Sequence, residues 1–182
     1  TAIGGGTQAT GNGALAGGIS TTASGAQSTA IGSGSIATGE NALAGGDLSV
    51  ADGDNSLAFG TNARTNIAGT NAVAMGDNST ASGVASVAFG TNTTSSGSQA
   101  FSAGDGSTAS GIASTALGDG ALAQGAGSFA TGFNTSAIGQ RSAAFGTLTT
   151  ADGSNSFAIG SRTNADGVAS FAGGDESDAV GS

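Results

Sequence analysis

The chain has 182 residues and a net charge of −9, from ten Asp and two Glu against three Arg, with no His, Lys, Cys, Pro, Trp or Tyr. That composition excludes disulfides and thiolate metal sites, and it leaves the many Ser and Thr without a His or Lys to activate them as nucleophiles. With only Arg64, Arg141 and Arg162 basic, nucleic-acid phosphates find no cationic surface, and no stretch is long and apolar enough to insert into a membrane.

From the N-terminus, glycine recurs every seven residues at Gly4, Gly11, Gly18 and onward to Gly60, slips once by two residues, and resumes at Gly69 through Gly76 and Gly83 to Gly181. Twenty-six of the thirty-six glycines lie on this comb, which marks a repeat array rather than a low-complexity linker. Two residues before each comb glycine stands Ala in 23 of 26 units, the departures being Ile67, Ser95 and Ser102, and four before it only Ala, Ser or Thr occurs. Positions two apart share a face of a β-strand, so this face is expected to pack against a very near neighbour.

The opposite face, one and three residues before the glycine, alternates in character between successive units, so the full period is fourteen. The first unit of each pair, strand a, carries Leu57 and Phe59, Val73 and Met75, Val87 and Phe89, Phe101, Leu117, Phe129, Phe145, Phe157 and Ile159, and Phe171. The second, strand b, carries polar pairs such as Thr80 and Ser82, Thr94 and Ser96, Thr108 and Ser110, and Thr150 and Asp152. Seven of the eight phenylalanines fall on strand a, and Phe133 is assigned to a turn.

These spacings predict an all-β repeat solenoid: a parallel β-roll of fourteen-residue coils, each setting an a strand of about four residues against a b strand with Ala and Ser between them. Residues 1–182 then form one domain of about thirteen coils, a rod segment ~60 Å long. The comb glycine supplies a positive φ at the strand end, and Asn two residues later (Asn55, Asn71, Asn78, Asn92, Asn134, Asn155) suits a left-handed turn. The two extra residues within 61–68 are read as a tolerated bulge in a solenoid turn, the alternative being a protruding, exposed loop with Arg64 at its tip.

Other motifs are absorbed by the comb. Gly104-Asp105-Gly106 and Gly118-Asp119-Gly120 lack the Gly-Lys-Ser/Thr of a phosphate loop. Asp105 and Asp119, stacked one coil apart, lack the nonapeptide pattern of calcium-binding rolls and are read as solvated turns. No catalytic, cofactor or metal residues are assigned. The sequons at Asn78, Asn92 and Asn134 are read as turns.

The apolar strip on strand a is larger than a soluble monomer leaves in water, and the repeats consume the whole chain, so a second copy is expected to cover it in a closed symmetric oligomer, dimer or trimer. Asn55-Ser56-Leu57-Ala58-Phe59-Gly60, Asn71-Ala72-Val73-Ala74-Met75-Gly76 and Asn155-Ser156-Phe157-Ala158-Ile159-Gly160 resemble the head repeats of trimeric autotransporter adhesins, the YadA-like head. The resemblance implies a left-handed β-roll and a homotrimer with the strip as its interface. It also implies display on the outer membrane of a Gram-negative bacterium and attachment to host cells, extracellular matrix proteins or other bacteria. No segment here has the character of the signal peptide, stalk or membrane anchor of that family, so a head segment is expected. A structural spacer holding an adhesive tip away from the cell is the alternative, with an ice-binding solenoid, suggested by the Thr ranks of strand b, as a weaker one.

Overall fold

The computed structural model describes residues 1–180; Gly181, the last tooth of the comb, lies outside the described residues. The backbone divides into two compact units, Thr1–Asn92 and Thr93–Ser182. In the first, the a strands (Leu15–Ile19, Thr29–Ser33 and Leu43–Asp47 among them) pair in parallel, each with its equivalent one coil on. The b strands (Thr22–Ala23, Ile36–Ala37, Val50–Ala51) do the same in a separate ladder. The second unit repeats the plan with a strands such as Phe129–Phe133, Ala143–Thr147 and Phe157–Ser161 and b strands such as Thr108–Ala109 and Thr150–Ala151. The register advances by one fourteen-residue coil, as in Ala130↔Ala144 and Ala158↔Ala172.

The two strands of a coil are less alike than the even comb suggests. The a strands reach five residues and run through the comb glycine, whereas the b strands hold only two. At the end of a b strand two successive N–H groups, of Ser110 and Gly111, converge on the Ala123 carbonyl at 2.9 and 3.4 Å. Convergence on one acceptor means that the chain has already left the extended conformation, so the ladder stops.

Glycine is required at the two comb positions for different reasons. Gly132, within an a strand, has φ +128°, a region that side chains rarely adopt. Gly153, after a b strand, has no such φ; a Cβ there would fall on the carbonyl oxygen of Gly167 in the next coil. Close coil stacking, rather than turn geometry, fixes that second glycine. The residue two after each comb glycine takes a positive φ whether or not the glycine does: Asn55, Asn71, Asn78, Asn92, Asn134 and Asn155 all lie at φ between 50° and 59°. The N–H of each such residue continues the ladder, Asn55 to Glu40 O at 2.7 Å and Asn134 to Asp119 O at 2.8 Å.

The interior is as small as the sequence requires. Ala16, Ala30, Ala44, Ala58 and Ala74 in the first unit and Ala116, Ala130, Ala144 and Ala158 in the second are fully buried, with Ser and Thr of the neighbouring row beside them. Ser28 and Ser114 donate back to the glycine carbonyls three residues earlier, at 2.7 and 2.8 Å, which satisfies a buried hydroxyl without a second side chain. Two departures from the alanine rule explain each other: Ser95 and Ser102 meet across the interior at 2.8 Å.

The third departure follows from the insertion. Thr65, not Ile67, takes the inner place in register with Ala51 and Ala81 and is hydrogen-bonded to Ser56 at 2.7 Å. The extra residues come after the strand, in a turn closed by the Gly69 N–H on the backbone oxygen of Asn66 at 2.8 Å and on its side-chain oxygen at 3.0 Å. Ile67 is expelled to 81% exposure. Arg64 is exposed, and it stands on the strand Arg64–Thr65 between Val50 and Thr80 rather than at the tip of a loop.

Candidate functional site

Because the interior accepts nothing larger than Thr, every large apolar side chain of a coil must lie outside it. In the first unit Leu57, Val73 and Val87 align in one row and Phe59, Met75 and Phe89 in the other. Phe59 and Phe89 are 55% and 54% exposed and Met75 between them is half-buried. The unequal heights leave a groove of about 330 Å³ lined by Phe59, Gly60, Met75, Gly76, Phe89, Gly90 and Thr91.

In the second unit Phe129, Phe157 and Phe171 stand in one row and Phe145 in the other. Phe129, Phe145, Phe157 and Phe171 stack with centroid separations of 5.3, 5.4 and 5.5 Å. Ala143, which stands between Phe129 and Phe157 in the register, is small enough to let Phe145 enter the stack from the other row. Such contacts hold the rings in place along the sheet, each pair contributing ~0.5–1.5 kcal/mol. They do not remove the outward surface from water: Phe101, Ile159 and Phe171 remain 37%, 43% and 68% exposed, with Leu117 half-buried. No charged residue occupies the outward a-strand rows, one and three residues before the comb glycines, in either unit.

Phe133 is not in a turn. It closes the strand Phe129–Phe133, two residues beyond Thr131, and is 49% exposed. Ile19 ends Leu15–Ile19 in the same way at 65%. The strip therefore extends past the comb glycine, which the assumption that glycine ends each strand concealed. The usable signal was the bulk of Ile19 and Phe133 at a position elsewhere held by Gly, Ser, Thr or Asp.

The b face is polar and hydrogen-bonded along its surface. Thr38 donates to Asp52 one coil on at 2.6 Å, and Asn164 donates to Asp166 at 2.9 Å. Partial burial against the sheet, and then the neighbouring Asp166 carboxylate, raise the pKa of Asp152 above the usual carboxylate range. Ile36 and Val50 interrupt one Thr row and Leu122 another, so no unbroken hydroxyl lattice forms. Among the described residues no three carboxylates form a group that could hold a metal ion.

Two parallel ladders wound from fourteen-residue coils about an Ala, Ser and Thr interior define a parallel β-solenoid of the repeat-array class. A family model, the YadA head domain repeat (2 copies), matches residues 9–35, 23–49, 37–63, 68–93, 109–135, 137–163 and 151–182. The chain belongs to this family of adhesin head repeats. Windows beginning at 9, 23 and 37 reproduce the fourteen-residue coil, and the break between 63 and 68 falls at the insertion. Comparison with curated proteins finds no match. Membership implies a protein exposed at a bacterial cell surface.

Proposed function

We propose that this chain is the non-enzymatic head of a trimeric autotransporter adhesin on the outer membrane of a Gram-negative bacterium, and that it attaches the cell to host cells, extracellular matrix or other bacteria. The observation that carries the reading is the uncharged strip of Leu57, Phe59, Val73, Met75, Val87 and Phe89 in the first unit and of Phe101, Leu117, Phe129, Phe145, Phe157, Ile159 and Phe171 in the second. Half of these side chains' surface or less is covered by their own chain in the most exposed cases, and three left-handed rolls around one axis would cover the rest. The b faces and turns then point outward and repeat every coil, so a weak site is presented many times and avidity supplies the attachment.

Two measurements test this. Light scattering should give three times the 16.6 kDa chain mass, with a melting temperature that rises with concentration because association stabilises the folded chains. Heads clustered on beads should hold to matrix proteins or host cells far better than single heads do. Clustered heads that hold no better than an unrelated acidic solenoid would assign the protein to the spacer class.

A further inference from the structure

Two half-exposed side chains of the second unit lie past the comb glycines, at the margin of the strip where the chain turns toward strand b. Phe133 is 49% exposed, and Leu148, which follows Phe133's register partner Thr147 in the next coil, is 48% exposed with its N–H bonded to the Phe133 carbonyl at 2.9 Å. Leu148 is also at φ 53°, a region that suits Gly and Asn and disfavours a branched side chain. Equivalent turn positions of the second unit hold Gly106, Gly120, Asn134, Arg162 and Glu176, so Leu148 is the apolar residue among them. A residue unfavourable both for its backbone and for its exposure points to a contact outside the chain. In the first unit Ile19 at 65% and Leu48 at 50% exposure and φ 54° occupy the same two kinds of position, but two coils apart, the Ile19 carbonyl accepting from Gly34 and the Leu48 N–H donating to Ser33.

The opposite margin of the same coil is correspondingly small. The strand Phe129–Phe133 is entered from Gly125-Ala126-Gly127, and a Cβ on Gly127 would meet only the Arg141 Cγ, at 3.5 Å. In copies arranged side by side about an axis parallel to the roll, the trailing margin of one meets the leading margin of the next at the same coil, which sets Phe133 against Ala126 and Gly127. With these residues included, the exposed apolar surface of the second unit comes to roughly 650 Å², from ~150–250 Å² per aromatic side chain, close to the ~800 Å² per partner of a standard interface. A second copy is the occupant that supplies uncharged outward rows with the same coil spacing.

We propose that Phe133 and Leu148 form a lateral seam between neighbouring copies, in which Phe133 seats on the partner's Ala126–Gly127 turn. The seam rests on the reading that further copies cover the strip, and one experiment separates the two. The chain lacks cysteine, so the paired substitutions Ala126→Cys and Phe133→Cys introduce the only thiols. Within one copy these positions are seven residues of mostly extended chain apart, ~20 Å, well beyond the ~7 Å that a disulfide spans. Mild oxidation of the assembled protein should yield a covalently closed oligomer under denaturing, non-reducing conditions. The Leu148→Asn variant, which relieves the backbone, should weaken association at least tenfold by dilution-dependent light scattering. An assembled protein that does not cross-link overturns the seam and leaves the covered strip standing. A Leu148→Asn variant that melts higher with unchanged association also overturns it. A wild-type chain that is monomeric at all concentrations overturns both.

Discussion

Replacing Phe157 with Asp tests the assignment of the two outer faces most directly. Phe157 is half-buried on the a strip and touches Phe145 at 5.4 Å and Phe171 at 5.5 Å. Losing two aromatic pairs at ~0.5–1.5 kcal/mol each costs the lone chain about 1–3 kcal/mol. If a neighbouring copy completes the burial, truncation approaches the ~3–5 kcal/mol of a core phenylalanine, and a carboxylate in an uncharged interface adds the penalty of burying an unpaired charge. The control is Thr108→Asp. Thr108 and Phe157 each lie three residues before a comb glycine, Gly111 and Gly160, and Thr108 stands between Thr94 and Leu122 on strand b. Thr150 is a poorer control, since Asp152 follows two residues later on the same face and is already disfavoured as a carboxylate. The Thr108 variant should stay within ~0.5 kcal/mol of wild type. At ~2–4 °C per kcal/mol for a chain of this size, Phe157→Asp should lower the melting temperature by at least ~6 °C and reduce the oligomer mass, whereas Thr108→Asp should shift it by under ~2 °C. Circular dichroism melts and light scattering read both. Equal melting temperatures and equal masses would refute the division into a covered a face and a wet b face.

Three further outcomes are expected. Asp152→Asn should raise stability at pH 7, because the fold disfavours the Asp152 carboxylate; since its folded pKa is raised, the destabilisation is absent where the group is protonated, so the advantage should shrink as pH falls toward the ordinary carboxylate range and vanish near pH 3 in pH-dependent melts. Ser95→Ala leaves the Ser102 hydroxyl without its 2.8 Å partner and should cost ~1–3 kcal/mol, while the double variant with Ser102→Ala restores the alanine pattern and should recover most of that; denaturation midpoints showing additive losses would contradict the pairing. Deleting Ile67 and Ala68 keeps Ala63 and Thr65 inside and returns Gly69 to the seven-residue comb, so the melt should move by no more than a few degrees; loss of the fold would show that the turn at Asn66–Gly69 is structurally required.

How far the fold could be read in advance is visible in particular residues. The period of the glycines and the restriction of their neighbours to Ala, Ser and Thr fixed a parallel solenoid of fourteen-residue coils, because only backbones stacked at strand spacing exclude every larger side chain from one face. The same pattern placed Leu57, Phe129 and Phe157 outside, since the interior had no volume for them. Asn at the left-handed turn positions was legible for the same local reason: few residues tolerate that backbone region.

Other features depended on contacts between coils, which spacing along one chain does not encode. That Gly153 is glycine for the sake of the Gly167 carbonyl, and Gly132 for its φ, emerges only when one coil is laid on the next. Thr65 displaced Ile67 from the interior because burying a hydroxyl opposite Ser56 satisfies both groups, while isoleucine exceeds the space between the sheets. Ser95 and Ser102 looked like two separate exceptions until the coil brought them to 2.8 Å. The a strands continue past their glycines because the ladder still offers partners there, and that continuation carries Phe133 onto the outward face. Sequence by itself determined the repeat, its two faces and its family, since these follow from local volume and backbone preference; the tertiary structure alone decided which exceptions pair, where the insertion sits and how far the apolar strip reaches, since these follow from which carbonyls, hydroxyls and side chains meet across coils.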